Sequence, residues 1–132
     1  MISALLMSVG LATSAIQSDG SFGYRAEIVT DDMVNSNGER LEDLAAILQQ
    51  DRANYHRFDI RQDGDETDPF FDDFQTRARM QVVYKPGPRD AEIESLLAFG
   101  AIIRLDVEVC LRNGRPVQIG IRYSDTDGTI CG

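Results

Sequence analysis

The chain has 132 residues, enough for one domain with a real core, and its 42% hydrophobic and 27% charged content is that of a globular protein. Thirteen Lys and Arg stand against 22 Asp and Glu, a formal net charge of −9. Such a surface repels phosphate backbones and anionic bilayers, which argues against a nucleic-acid partner and leaves a basic partner or a cation open.

The first 18 residues, MISALLMSVGLATSAIQS, carry no charged side chain. Residues 2–12 read as a short apolar h-region, with Thr13 and Ala15 as small residues before a cleavage point. Residues 1–15 are therefore expected to be a signal peptide and 16–132 a single α+β domain. An n-region without Lys or Arg departs from the pattern, and an apolar N-terminal helix packed on the domain is the competing reading. The run is short and broken by Ser3, Ser8, Gly10, Thr13 and Ser14, so no stable membrane insertion is expected after leader cleavage.

In YRAEIVT, Tyr24, Ala26 and Ile28 alternate onto one face and predict a first strand. Ser36 and Glu39 have the spacing of a capping box. Leu41, Leu44, Ala45, Leu48 and Tyr55 then recur at helical spacing, which predicts a helix over residues 37–57. Asp68 and Pro69 read as the N-cap and first position of a short helix. Asp72 and Asp73 would fall in its first turn and Arg77 and Arg79 near its end. Phe70, Phe74 and Ala78 would share a face, which places Phe70 and Phe74 in the core and leaves Phe71 without an assigned place.

MQVVYK, residues 80–85, predicts a second strand stopped by PGP. Asp90 caps a third helix carrying Ile93, Leu96 and Leu97 and ended by Gly100. Ile103, Leu105, Val107, Val109 and Leu111 alternate with polar residues, RNGR turns the chain, and Val117, Ile119, Ile121 and Tyr123 alternate again. A two-residue loop at Asn113-Gly114 would put the two apolar rows on opposite faces. A three-residue loop from Arg112 to Gly114 instead pairs Val109 with Val117 and Val107 with Ile119, puts Pro116 opposite Cys110, and is the expected register. The fold class that buries these faces is α+β: a small two-layer sandwich with a mostly antiparallel sheet of about four strands. One long and two short helices would lie on one face.

Cys110 and Cys131 are the two cysteines. In an exported chain an even count predicts one disulfide, tying the C-terminal tail to the sheet and worth roughly 3 kcal/mol for a loop of about 20 residues. No CxxC spacing supports a redox or zinc role.

RFDIRQDGDETDPFFDDF, residues 57–74, holds seven acidic residues: Asp59, Asp63, Asp65, Glu66, Asp68, Asp72 and Asp73. Calcium needs oxygen ligands at alternating positions, and Asp63, Asp65 and Thr67 alternate. Counted from Asp63, the sixth position is Asp68 where Gly is needed and the twelfth is Phe74 where Glu is needed. Counted from Asp59, Gly64 falls correctly, but Arg61 takes a ligand position and Phe70 ends the loop. Asp125, Asp127 and Gly128 are a further fragment of the same pattern. Helix caps and a solvated loop explain the stretch better, with a calcium-stabilised loop over 59–73 as the alternative.

His56 is the single histidine, with Asp51 and Arg52 one turn before it and Asp59 just after. Beside a carboxylate it has the means of general acid–base catalysis, but a basic residue in a last helical turn also answers the open carbonyls there. One histidine cannot form a histidine triad for a metal, and neither a GxSxG elbow nor a phosphate-binding glycine loop is present. No catalytic, cofactor-binding or metal residue is assigned. The expectation is a small exported protein, periplasmic or extracellular, without catalytic activity, that binds an unknown protein or small molecule as an inhibitor or accessory factor. A small hydrolase using carboxylates with His56 is the third reading.

Overall fold

The structure, a computed structural model, describes residues 19–123 together with Ile130 and Cys131. The leader at 1–15 and the fragment at 125–128 lie outside the described residues. Strand β1 (Gly20–Ile28) is followed by a single 3-10 turn (Thr30–Met33) and the helices α1 (Leu44–His56), α2 (Phe74–Ala78), α3 (Met80–Val83) and α4 (Asp90–Ala98). Strands β2 (Ile103–Arg112) and β3 (Arg115–Ile121) complete the order. The sheet is antiparallel in the order β1-β2-β3. Among the described residues there are three strands rather than four, and three short helices rather than two.

Alternation in the strands produces the core directly. Tyr24, Ala26 and Ile28 pair with Val107, Leu105 and Ile103, and Val107 and Val109 pair in turn with Ile121 and Ile119. Residues directly opposite one another share a face, so these side chains form one apolar layer. Leu44, Ile47 and Leu48 of α1, Met80, Ile93 and Leu97 pack against it with Phe70 and Phe71.

Four local expectations are corrected by longer-range contacts. MQVVYK is not a strand. Met80 is buried while Val82 is exposed, the spacing of a helical turn, and α3 replaces the expected pairing. What survives of a strand is one parallel bridge from Tyr84 to Ile119 and the bond from Lys85 N–H to Ile119 O at 2.8 Å. Pro86 follows at once and has no N–H to continue the ladder.

Helix α1 starts at Leu44 rather than at 37. Asp43 is its N-cap, accepting from Ala46 N–H at 2.9 Å, and Glu94 of α4 accepts from Leu44 N–H at 2.8 Å. Ser36 and Glu39 do not form a capping box. The Asn35 side chain accepts from the N–H groups of Asn37 and Glu39, and Val34 bridges Arg40, so an Asx-type turn holds this stretch.

The β2–β3 hairpin uses the two-residue loop, with Asn113 and Gly114 both at positive φ (54° and 75°) as a type I′ turn requires. The register then shifts between Leu111, opposite Pro116, and Cys110, opposite Gln118, which leaves Val117 as a bulge. That extra residue brings the two apolar rows back onto one face, the outcome for which a three-residue loop was expected.

Phe70 and Phe74 do not share a helix face. Asp68 accepts from the N–H groups of Phe70 and Phe71 at 2.8 and 2.6 Å in an irregular turn, and α2 begins only at Phe74, capped by Asp73. Phe71 is fully buried and Phe74 is 63% exposed.

Cys110 faces away from the apolar layer and is joined to Cys131 by a disulfide. The tail is seated by two more contacts. Gln118 Nε2 donates to Ile130 O at 2.6 Å, and Ile130 N–H donates to Glu108 Oε1 at 3.1 Å. No helix among the described residues is long and apolar enough to cross a membrane.

Candidate functional site

The last two turns of α1 carry Asp51, Arg52, Tyr55 and His56. Arg52 lies on the same side as Leu44 and Leu48, so its guanidinium is carried into the core and is 0% exposed. It lies 4.3 Å from the centroid of Tyr24 and 4.6 Å from that of Tyr55, a cation–π environment. Its Nε donates to Asp51 Oδ2 at 2.8 Å, and its Nη1 donates to Asp68 Oδ1 and Glu66 O, both at 2.9 Å. His56 Nε2 shares Asp68 Oδ1 at 2.8 Å. Asp68 therefore takes four contacts: Arg52, His56 and two backbone N–H groups.

These contacts place the acidic segment along the free edge of β1. Glu66 accepts from Arg25 N–H at 2.8 Å and returns its own N–H to Arg25 O at 2.8 Å. Asp65 accepts from Glu27 N–H and from Gln62 N–H, each at 2.8 Å. An edge strand exposes a row of such donors and invites pairing with another chain. Here two carboxylates take the place of the missing strand, and Arg52 holds the loop that carries them.

The residues that the sequence offered for calcium are thus turned toward different partners. Asp65 faces β1 with Arg52 Nη2 at 3.9 Å from it, Asp68 faces Arg52 and His56, and Asp63 is exposed. Asp59 is 84% exposed at its side chain and pairs with Arg61 at 3.5 Å, and Asp73 caps α2. Among the described residues no three His, Cys, Asp or Glu side chains converge at metal-holding distance. His56 and Asp59 are not brought together. The histidine's carboxylate is Asp68, and no hydroxyl or thiol among the described residues is bonded to its ring.

The electrostatics of this cluster divide it in two. Burial raises the Asp51 carboxyl to about 8 against the lowering pull of Arg52, and burial raises Asp32 to about 6 against bonds from Val29 N–H and Asn54. Burial acts to raise Asp68 too, but the bonds from His56, Phe71 N–H, Arg52 and Phe70 N–H outweigh it and hold this carboxyl below its usual range. Asp51 Oδ1, Arg52 Nη2, Tyr24 Oη and Gln62 Oε1 are buried without a hydrogen-bond partner among the described residues.

A pH dependence follows from these directions. A carboxyl whose folded pKa is raised contributes stability that is complete below its unfolded pKa near 4 and is lost as pH rises through the folded value. For Asp32 and Asp51 that window runs from about pH 4 to about pH 8, while Asp68 adds stability above about pH 4. We expect the melting temperature to fall by roughly 10 °C between about pH 5 and pH 9, and the fall to be shallower in Asp51→Asn. A melting temperature that is flat or rising over that range would contradict the assignment.

A second feature lies at the corner between α4 and β2. Gly100, at φ 93°, ends α4 with bonds from Gly100 N–H to Leu97 O and from Ala101 N–H to Leu96 O, the paired pattern of a Schellman motif. That rigid turn projects Phe99, 89% exposed, with Leu96 and Ile102 exposed beside it in sequence.

Comparison with protein-family models, with curated proteins and with solved structures returned no match. Sequence reasoning missed the Arg52 cluster, although one signal was present: Asp51 and Arg52 continue the buried stripe of Leu44 and Leu48, where charged residues need partners.

Proposed function

We propose that this chain is a small exported binding, inhibitor or accessory protein without catalytic activity, and that it docks a protein partner through Leu96, Phe99 and Ile102. The observation that carries the reading is Phe99, a large aromatic side chain held almost wholly in solvent by a capped, preorganised turn. Exposed aromatic anchors on rigid elements supply a large share of binding energy at protein interfaces. The Cys110–Cys131 disulfide and the charge-free leader support a periplasmic or extracellular setting.

The test is capture from an envelope or secreted extract by the oxidised protein and by Phe99→Asp. The expected result is a stoichiometric partner retained by the wild type and reduced at least tenfold with the variant, whose stability should stay within about 0.5 kcal/mol. Equal retention by both proteins removes the corner as the docking surface, and repeated failure to capture anything counts against the binding reading itself.

A further inference from the structure

Away from the Phe99 corner, a groove of about 230 Å³ runs between α1 and the α2–α3 pair. Ala46 and Ala53, one helical face of α1, leave room for it. Each rim bears a Phe–Arg pair, with Arg57 5.0 Å from the centroid of Phe58 and Arg77 5.8 Å from that of Phe74. The walls are tied across: Gln49 Nε2 donates to Arg77 O at 3.1 Å, and Gln81 Nε2 donates to Gln49 Oε1. The groove is therefore preformed, and Asn35, Ser36 and Leu41 of the segment before α1 complete its lining.

Charge suits this groove to an anionic group. In a chain of net charge −9, no carboxylate lines it. Nearby Asp43 and Asp73 are turned onto the N-termini of α1 and α2, and Glu39 receives the Asn35 amide. Arg77 gives its guanidinium to Phe71 O. Arg57 is exposed and has neither an ion pair nor a side-chain hydrogen bond among the described residues.

We infer that the groove binds the C-terminal end of a partner polypeptide. The terminal carboxylate pairs with Arg57, and the last side chain, apolar or aromatic, seats between Phe58 and Phe74 over Ala46 and Ala53. A guanidinium takes a carboxylate through two parallel N–H bonds, and capture of a chain terminus is a recurrent recognition mode. The volume is below the roughly 300–1,000 Å³ of pockets for drug-sized ligands, which suits one terminal residue better than a longer segment. The inference rests on the reading of a protein-binding chain but concerns a different surface, so each can fail without the other.

The test is an NMR titration of the oxidised, isotope-labelled protein with an N-acetylated tetrapeptide ending in phenylalanine, as the free acid and as the C-terminal amide. The expected result is movement of the Ala46, Gln50, Ala53 and Phe74 backbone resonances by the acid, with the amide about tenfold weaker. Arg57→Gln should bring the acid down to the level of the amide, and Phe74→Ala should weaken both peptides. Equal binding of acid and amide, shifts confined to other surfaces, or no shift up to about 10 mM acid would each overturn it.

Discussion

Arg52→Met is expected to destabilise the protein by about 3–5 kcal/mol, because it leaves the buried Asp68 carboxylate without its cation. Asp51 loses the donor at 2.8 Å that opposes its burial, and Asp68 keeps only His56 and two backbone N–H groups. The damage should be local in a specific way. Glu66 O, Asp68 and, at 3.9 Å, Asp65 are the points at which Arg52 holds the acidic segment, so the carboxylates of Glu66 and Asp65 should lift from β1. Hydrogen exchange should then accelerate at the Arg25 and Glu27 amides together with a fall of roughly 12–20 °C in melting temperature. Arg104→Met is the control, since the Arg104 side chain is 64% exposed and its pair with Glu27 at 3.0 Å should be worth no more than about 1 kcal/mol. An Arg52→Met protein within about 1 kcal/mol of wild type, with β1 still protected, would show that the acidic loop is held by something else.

The second large effect separates two phenylalanines three residues apart. Phe71→Ala should cost about 3–5 kcal/mol in urea unfolding, and Phe74→Ala should stay within about 0.5 kcal/mol. Phe71 is enclosed by Tyr24 and Phe70, with ring centroids 6.3 and 6.2 Å away, whereas Phe74 stands on the rim of the groove. Comparable losses for the two variants would mean that the Asp68 turn does not orient this segment as described.

These phenylalanines show where reading the chain stops. Asp68-Pro69 has the signature of a helix start, and the spacing of Phe70, Phe74 and Ala78 agrees with it. The structure keeps the cap but not the helix. Asp68 is also the partner of Arg52 and His56, and that demand turns residues 69–73 into an irregular bend. The capping role within the acidic segment was legible, and Asp68 accepts from Phe70 and Phe71 N–H. That two of its carboxylates would replace a strand was not, because the bond between Glu66 and Arg25 spans 41 residues.

What the sequence determined by itself is everything whose cause is periodic or has no competitor. The alternation around Tyr24 and from Ile103 to Leu111 makes strands, the spacing of Leu44 and Leu48 makes a helix, and Gly100 ends α4 because it accepts positive φ. Two cysteines in a chain have one intramolecular pairing, and it is formed. Tertiary structure decided the cases in which two local answers cost nearly the same. Asp43 rather than Ser36 caps α1 because Glu94 meets the same helix end, and Met80 turns inward in α3, where the core buries it fully. The bulge at Val117 reconciles a two-residue turn with a single buried face. In each case the deciding partner is distant in sequence, or the deciding demand is burial, and neither is written in the local pattern of residues.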